Sequence, residues 1–150
     1  MKLQRWKLFL WNFWPPFFFT GIKIQSLAQD FRHASTRLKL HWWNANYVGT
    51  QFGGSIFAMS DAMHMVMLIN ILGDEYVIWD KSATIRYLKP GRSDLIAEFI
   101  ITEEDLQLIR KNVEALGKYD WVKKVEIKDC NHNVIAEVDR TVHIRKRKPA

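Results

Sequence analysis

Apolar residues from Ile56 to Leu72 fall on every side of a 3.6-residue wheel, and no Gly or Pro interrupts them. That pattern predicts a buried helix, since a half-solvated one would keep a polar face. Run from Ser55 to Leu72, it would be roughly 27 Å long, enough to cross a small domain. Gly53-Gly54 opens the segment and Gly73 stands where a C-terminal cap belongs. Asp61 is the charge inside it. It reads either as a buried aspartate tied into a hydrogen-bond network or as an acid or base held in a dry cleft.

On both sides of this helix the period becomes two. Gly21–Leu27 sets Ile22 and Ile24 against Lys23 and Gln25, and Phe31–Leu40 puts Ala34, Thr36, Leu38 and Leu40 on one face. Tyr76–Leu88 is expected to turn Val77, Trp79, Ala83, Ile85 and Tyr87 inward, with Lys81 in the same row. After the Lys89-Pro90-Gly91-Arg92 turn, Asp94–Ile101 lines up Leu95, Ala97, Phe99 and Ile101. Thr102 and Asp105 form a capping box for a helix over 103–116 with Leu106, Ile109, Val113 and Leu116 on one stripe. Trp121–Asp129 and Val134–Arg145 close the chain as two strands. Six mostly antiparallel strands and one wholly apolar helix predict an α+β domain with a curved sheet around a central helix, about 54–72.

The start of the chain is set apart by Trp and Phe. Residues 3–13 predict a short helix, followed by an extended Pro15-Pro16 connection. The uncharged run Leu8–Phe19 is too short to span a bilayer and lacks a signal-peptide cleavage site. Its aromatic side chains either cover the domain's own core or make weak contact with a membrane surface. The expected organisation is residues 1–20 packing on the domain, a domain over 21–145, and a basic tail over 146–150.

With 150 residues, 48% of them apolar, the chain can bury a real core as one domain. Cys130 is the sole cysteine, which excludes an internal disulfide and the usual metal spacings and fits a reducing, cytoplasmic setting. The net charge of +6 draws much of its excess from Arg145-Lys146-Arg147-Lys148. Such a tail is usually solvated, and no nucleic-acid-binding signature accompanies it.

Asn46-x-x-Gly49-Thr50-x-x-Gly53-Gly54, followed by Ile56-Phe57-Ala58 and Asp61, resembles the hotdog-fold acyl-CoA thioesterases of the phenylacetate-degradation type. The stretch Ala83–Gly91 is similar to their strand entering a Pro-Gly turn. The resemblance implies a hotdog fold, a homodimer or dimer of dimers, and hydrolysis of an acyl thioester with no cofactor beyond the substrate's coenzyme A. It implies an oxyanion hole from the Gly53 and Gly54 N–H groups, Asp61 as nucleophile or general base, and Asn46 polarising the carbonyl or positioning water. In such dimers the two sets come from different subunits. Gly49, Gln51, Phe52, Phe57, His64, Lys81, Arg86, Lys89 and Arg92 are the residues expected to meet substrate, the basic ones at the phosphates. Phe52 stands where the family has His, with Gln51 its nearest replacement, so a non-catalytic acyl-CoA-binding or lipid-binding module is the alternative. A hydratase or dehydratase, pairing a histidine with an acid, is a further one. Met59, Met63, Met65 and Met67 read as adaptable core and pocket lining.

Overall fold

The computed structural model describes residues 5–147. Its strands are β1 (Ile22–Leu27), β2 (His33–Leu38), β3 (Tyr76–Tyr87), β4 (Leu95–Ile100), β5 (Lys118–Asp129) and β6 (Val134–Lys146). They form one antiparallel sheet in the order β1-β2-β4-β5-β6-β3. One face is the core: Leu95, Ala97 and Phe99 of β4 and Ala136, Val138, Val142 and Ile144 of β6 are wholly buried.

β3 departs from the expected row. Its pairing with β6 shifts register between Asp80 and Ser82. One extra residue in a strand reverses which side chains face inward beyond it. Ile78 is therefore buried ahead of the bulge, while Ala83 and Ile85 pack on the core after it. Trp79 and Tyr87, expected inward, are exposed, as is Lys81.

The central helix runs in two segments, α3 (Gly53–Ala58) and α4 (Met63–Leu72), with a turn at Met59–Ala62. In an unbroken helix the Met63 N–H would donate to the Met59 carbonyl. Here it donates to the Asp61 carbonyl at 2.8 Å, and the Met59 carbonyl instead accepts from the buried Thr36 hydroxyl at 2.9 Å. Ser60 turns its hydroxyl back onto the Phe57 carbonyl at 2.8 Å, the local competition that makes Ser a poor helix former. Ala62 takes φ +61 in the left-handed region, and Asp61 swings out to the surface. The expectation of a buried Asp61 is thus corrected by a break that the apolar periodicity hides. Gly53–Leu72 is long and apolar enough to cross a bilayer, but it is a core helix, with 56% of its most apolar window buried.

α5 (Glu103–Leu116) begins at the expected Thr102–Asp105 capping box and buries Leu106, Ile109 and Val113. Leu116 falls off that stripe and is exposed, because the helix turns out at Gly117 with φ +75.

Ahead of the sheet lie α1 (Arg5–Phe9), a 3-10 turn over Leu10–Phe13, and α2 (Pro15–Thr20). Residues 3 and 4 of the expected first helix lie outside the described residues. Pro15-Pro16 opens α2 in place of the extended connection expected. Proline suits a first helical turn, where its missing N–H would have no partner anyway. Leu8 and Phe17 enter the core, and Phe9 and Trp11 pack against it. The Asn12 amide accepts from the Ile24 N–H at 2.7 Å and donates to the Ile24 carbonyl at 3.3 Å, covering the free edge of β1 as a strand would.

Leu8→Ala should therefore cost about 2–5 kcal/mol in urea unfolding, while Phe13→Ala on the outer face should stay within about 0.5 kcal/mol. Thr36→Val should cost about 1–3 kcal/mol, because it strands the buried Met59 carbonyl. Equal effects of Leu8→Ala and Phe13→Ala would mean that the N-terminal segment does not pack as described.

Candidate functional site

Two groups of the expected site residues lie in separate clefts. Asn46, Gln51, Gly53, Gly54 and Lys89 line a cleft of about 490 Å³, with Tyr87 on its wall. The Asn46 side chain is committed to its own loop: its amide donates to Thr50 Oγ1 at 2.8 Å, and its carbonyl accepts from the Val48 and Thr50 N–H groups. Gly49 takes φ +76 in the same tight turn. Asn46 and Gly49 thus brace the loop that walls the cleft. Gln51 is buried, and its amide bridges the Leu38 and Ser93 carbonyls. It too holds loops together, because its two N–H donors are already taken.

α3 starts in this cleft. The Phe52 carbonyl accepts from the Ser55 and Ile56 N–H groups, both at 3.0 Å. The N–H groups of Gly53 and Gly54 precede these and have no helical carbonyl to meet. Tyr87 donates its hydroxyl to the Gly53 carbonyl at 2.9 Å. Phe52 lies across the turn, so closely that a Cβ on Gly54 would stand 2.5 Å from its Cε1. A phenyl ring therefore sits beside the two donors where a histidine would offer a third.

Asp61 lies elsewhere, on a polar cleft of about 280 Å³ with Phe57, Lys81, Asp80 and Arg140. Its side chain is 60% exposed, and its Oδ1 accepts from Arg140 Nη1 at 2.7 Å. The Arg140 side chain is only 4% exposed and meets Asp80 Oδ2 at 3.3 Å as well. Its guanidinium also stands 5.5 Å from the centre of the Phe57 ring. Burial raises the Asp80 carboxyl above the ordinary carboxylate range, against the opposing pull of Arg140. Asp80 Oδ1 and Arg140 Nε are buried without a hydrogen-bond partner. Asp61 also closes one end of a third cleft, about 560 Å³, walled by Leu10, Trp11, Phe13, Trp14 and Phe17.

Asp80, Arg140 and Tyr87 were missed as site residues. For Arg140 a signal existed: it interrupts the inward row Ala136, Val138, Val142, Ile144 with a charge. Asp80 was hidden by the bulge, which no periodicity revealed, whereas Tyr87 follows Ala83 and Ile85 in the expected row.

His64 faces away from the surface. It is 1% exposed, edge-on to Phe99 and Trp121, and neither ring nitrogen has a partner. A substrate-contacting His64 is corrected by this burial, and a hydratase is left without that histidine beside Asp61. Of the basic residues expected at phosphates, Arg86 is paired with Glu137 and Asp139, and Lys81 with Asp120. Lys89 and Arg92 are exposed. Among the described residues no group of His, Cys, Asp and Glu is arranged to hold a metal.

The architecture, a curved antiparallel sheet wrapped around a central helix, is the hotdog fold. It matches a Pseudomonas aeruginosa protein described as a probable thioesterase of unknown function, with a TM-score of 0.82 at 17% identity over 98% of this chain and 99% of that one. A Haemophilus influenzae thioesterase matches with a TM-score of 0.71 at 14% identity, covering 97% and 93%. A Chlorobaculum tepidum protein of unknown function gives 0.73 at 17%, covering 94% and 93%. The chain belongs to the DUF4442 family, a domain of unknown function whose model matches residues 4–144. No curated protein matches the sequence.

Burial, aided by Lys123 and Arg140, lowers the His64 imidazole from 6.5 to about 3. The unfolded chain takes up this proton below 6.5, and the folded protein refuses it until about 3. Stability carried by the neutral ring is thus complete above that window and falls by about 1.4 kcal/mol per pH unit within it. The raised carboxyl of Asp80 acts in the opposite direction, so the contrast with His64→Leu isolates the imidazole. In acid unfolding titrations His64→Leu should lose less stability than wild type as pH drops below 6.5. Parallel curves would mean that the ring is solvated.

Proposed function

We propose that the protein is an acyl-CoA thioesterase, turning an acyl thioester and water into a free acid and a thiol. The observation that carries this reading is the exposed Asp61 carboxylate, set at a break in the central helix and oriented by a buried arginine between a polar cleft and an apolar one. Acting as general base, Asp61 takes a proton from water as the oxygen adds to the thioester carbon. The carbonyl oxygen becomes negative, and the Gly53 and Gly54 N–H groups stabilise it. The C–S bond then breaks and the proton passes to the departing sulfur.

In one protomer these donors and Asp61 line different clefts. The reading therefore requires a homodimer, alone or within a dimer of dimers, that brings Asp61 of one protomer to the Gly53-Gly54 turn of the partner subunit. Exposed Lys89 and Arg92 are available to the coenzyme A phosphates, and no separate cofactor is needed. An acyl-CoA substrate and the exposed free thiol of Cys130 both suit the cytoplasm.

A second reading, acyl-CoA binding without turnover, is favoured by Phe52, which crowds the turn and brings no donor.

Incubation with a panel of acyl-CoAs and a thiol-detecting reagent separates the two. Under the first reading Asp61→Asn keeps fold and binding and lowers hydrolysis by about 10²–10⁴-fold. Mixing Asp61→Asn with Gly54→Val, whose side chain drives into the Phe52 ring, should restore part of the activity through mixed dimers. Unchanged turnover in Asp61→Asn sinks the mechanism. A wild type that binds acyl-CoA and releases no thiol, with turnover gained in Phe52→His, establishes the second reading instead.

A further inference from the structure

The segment from α1 to α2 carries apolar side chains on both sides. Its inner side delivers Leu8 and Phe17 to the core, yet the outer side is aromatic too, with Phe13, Trp14, Phe18 and Phe19 more than half exposed. The loop after β2 exposes Trp42 and Trp43 as well. That loop is tied down beside the end of α2, because the Asn44 amide donates to the carbonyls of Thr20 and Lys39, each at 2.8 Å. The rings brace one another: Phe18 meets Phe19 edge-on at 5.4 Å, Trp42 meets Trp43 edge-on at 5.7 Å, and Trp43 stacks on His41 at 4.0 Å. A patch this apolar on a domain surface marks something that docks there.

The charge distribution says what docks. Residues 1–47 hold seven lysines and arginines against one acid, Asp30, whereas the rest of the chain is balanced at fifteen against fifteen. The aromatic third thus carries a net charge of +6 by itself, and the basic tail at 145–148 is offset by acids elsewhere in its part of the chain. Arg32 and Arg37 are paired with Glu103 and Asp94, while Lys7, Lys23 and Lys39 stay exposed. Exposed tryptophan and phenylalanine in a stretch rich in exposed lysine suit the headgroup boundary of a bilayer, where the rings enter the acyl edge and the ammonium groups meet lipid phosphates.

We propose that this aromatic, basic face docks on an anionic lipid surface, laying α1, α2 and the Trp42–Trp43 loop along the headgroups without spanning the bilayer. Phe13 and Trp14 also wall the cleft that Asp61 closes, so docking is read by vesicle binding and not by hydrolysis.

The test is co-sedimentation of the full chain with vesicles of phosphatidylcholine alone or with phosphatidylserine at about two to one. The mixed vesicles should bind the protein about tenfold or more tightly than the neutral ones, and added salt should weaken that binding. Combining Phe13→Ser, Phe19→Ser and Trp42→Ser removes three of the most exposed rings (76%, 68% and 88%) and should leave the melting temperature intact. It should weaken vesicle binding by about tenfold or more. Lys23→Glu with Lys39→Glu, both at exposed positions, should abolish the preference for anionic vesicles and serves if the triple variant does not fold. Wild-type protein that ignores both vesicles overturns the proposal, as does a folded triple variant that binds like wild type. A triple variant that falls to a smaller oligomer in size-exclusion chromatography, with no vesicle binding by wild type, would make the face a contact between copies and also overturn it.

Discussion

The hydrogen bond from Thr36 to the Met59 carbonyl allows the central helix to break inside the core. A helix interruption surrounded by apolar side chains strands backbone groups that cannot reach water, and each stranded group is costly. β2 supplies the missing donor at 2.9 Å. With that carbonyl satisfied, the chain can turn at Met59–Ala62 and resume as α4, one face of which still fills the sheet's concave side. Asp61 reaches the surface as a consequence. An unbroken helix would leave its carboxylate among Phe57, Ala58 and Met65, where desolvation would oppose its charge.

The electrostatics around the break follow from burial. Arg140 projects from the inward row of β6 and is almost wholly enclosed, so it needs anionic partners to remain there. It finds two, exposed Asp61 and half-buried Asp80. Both partners share one cation, and the deeper of them bears the cost, which is why burial raises the Asp80 carboxyl despite its ion pair. Breaking a buried pair from one side is far more damaging than exchanging both for apolar groups. Arg140 is accordingly the member of the trio whose removal would disturb both core and cleft.

Separation of the two clefts gives the proposed chemistry its particular demand. The Gly53-Gly54 turn and Asp61 stand at opposite ends of α3, a helix of six residues. In the proposed reaction a thioester carbon therefore meets both where two protomers come together. The Phe52 ring sits at the Gly53-Gly54 end of α3, away from Asp61.

Much of this protein was legible in its residue order. Period-two runs located all six strands, the Thr102–Asp105 box fixed the start of α5, and an all-round apolar segment identified the core helix, because each of these signals is local. Gly53-Gly54 and Asp61 stood out by residue type alone. What the sequence did not contain was phase and partnership. The bulge at Lys81 shifts the phase of β3 through pairing with a distant strand, and so Asp80 turns in while Trp79 turns out. The helix break depends on a hydroxyl 23 residues away, and the Asp61 partner lies 79 residues along the chain. Asn46 and His64 were fitting residues for a site by type, yet packing gave one to a loop and the other to the core. Local pattern determines which elements form. Which side chains reach solvent or one another is decided by long-range hydrogen bonds and burial, and these exist only once the sheet has closed around the helix.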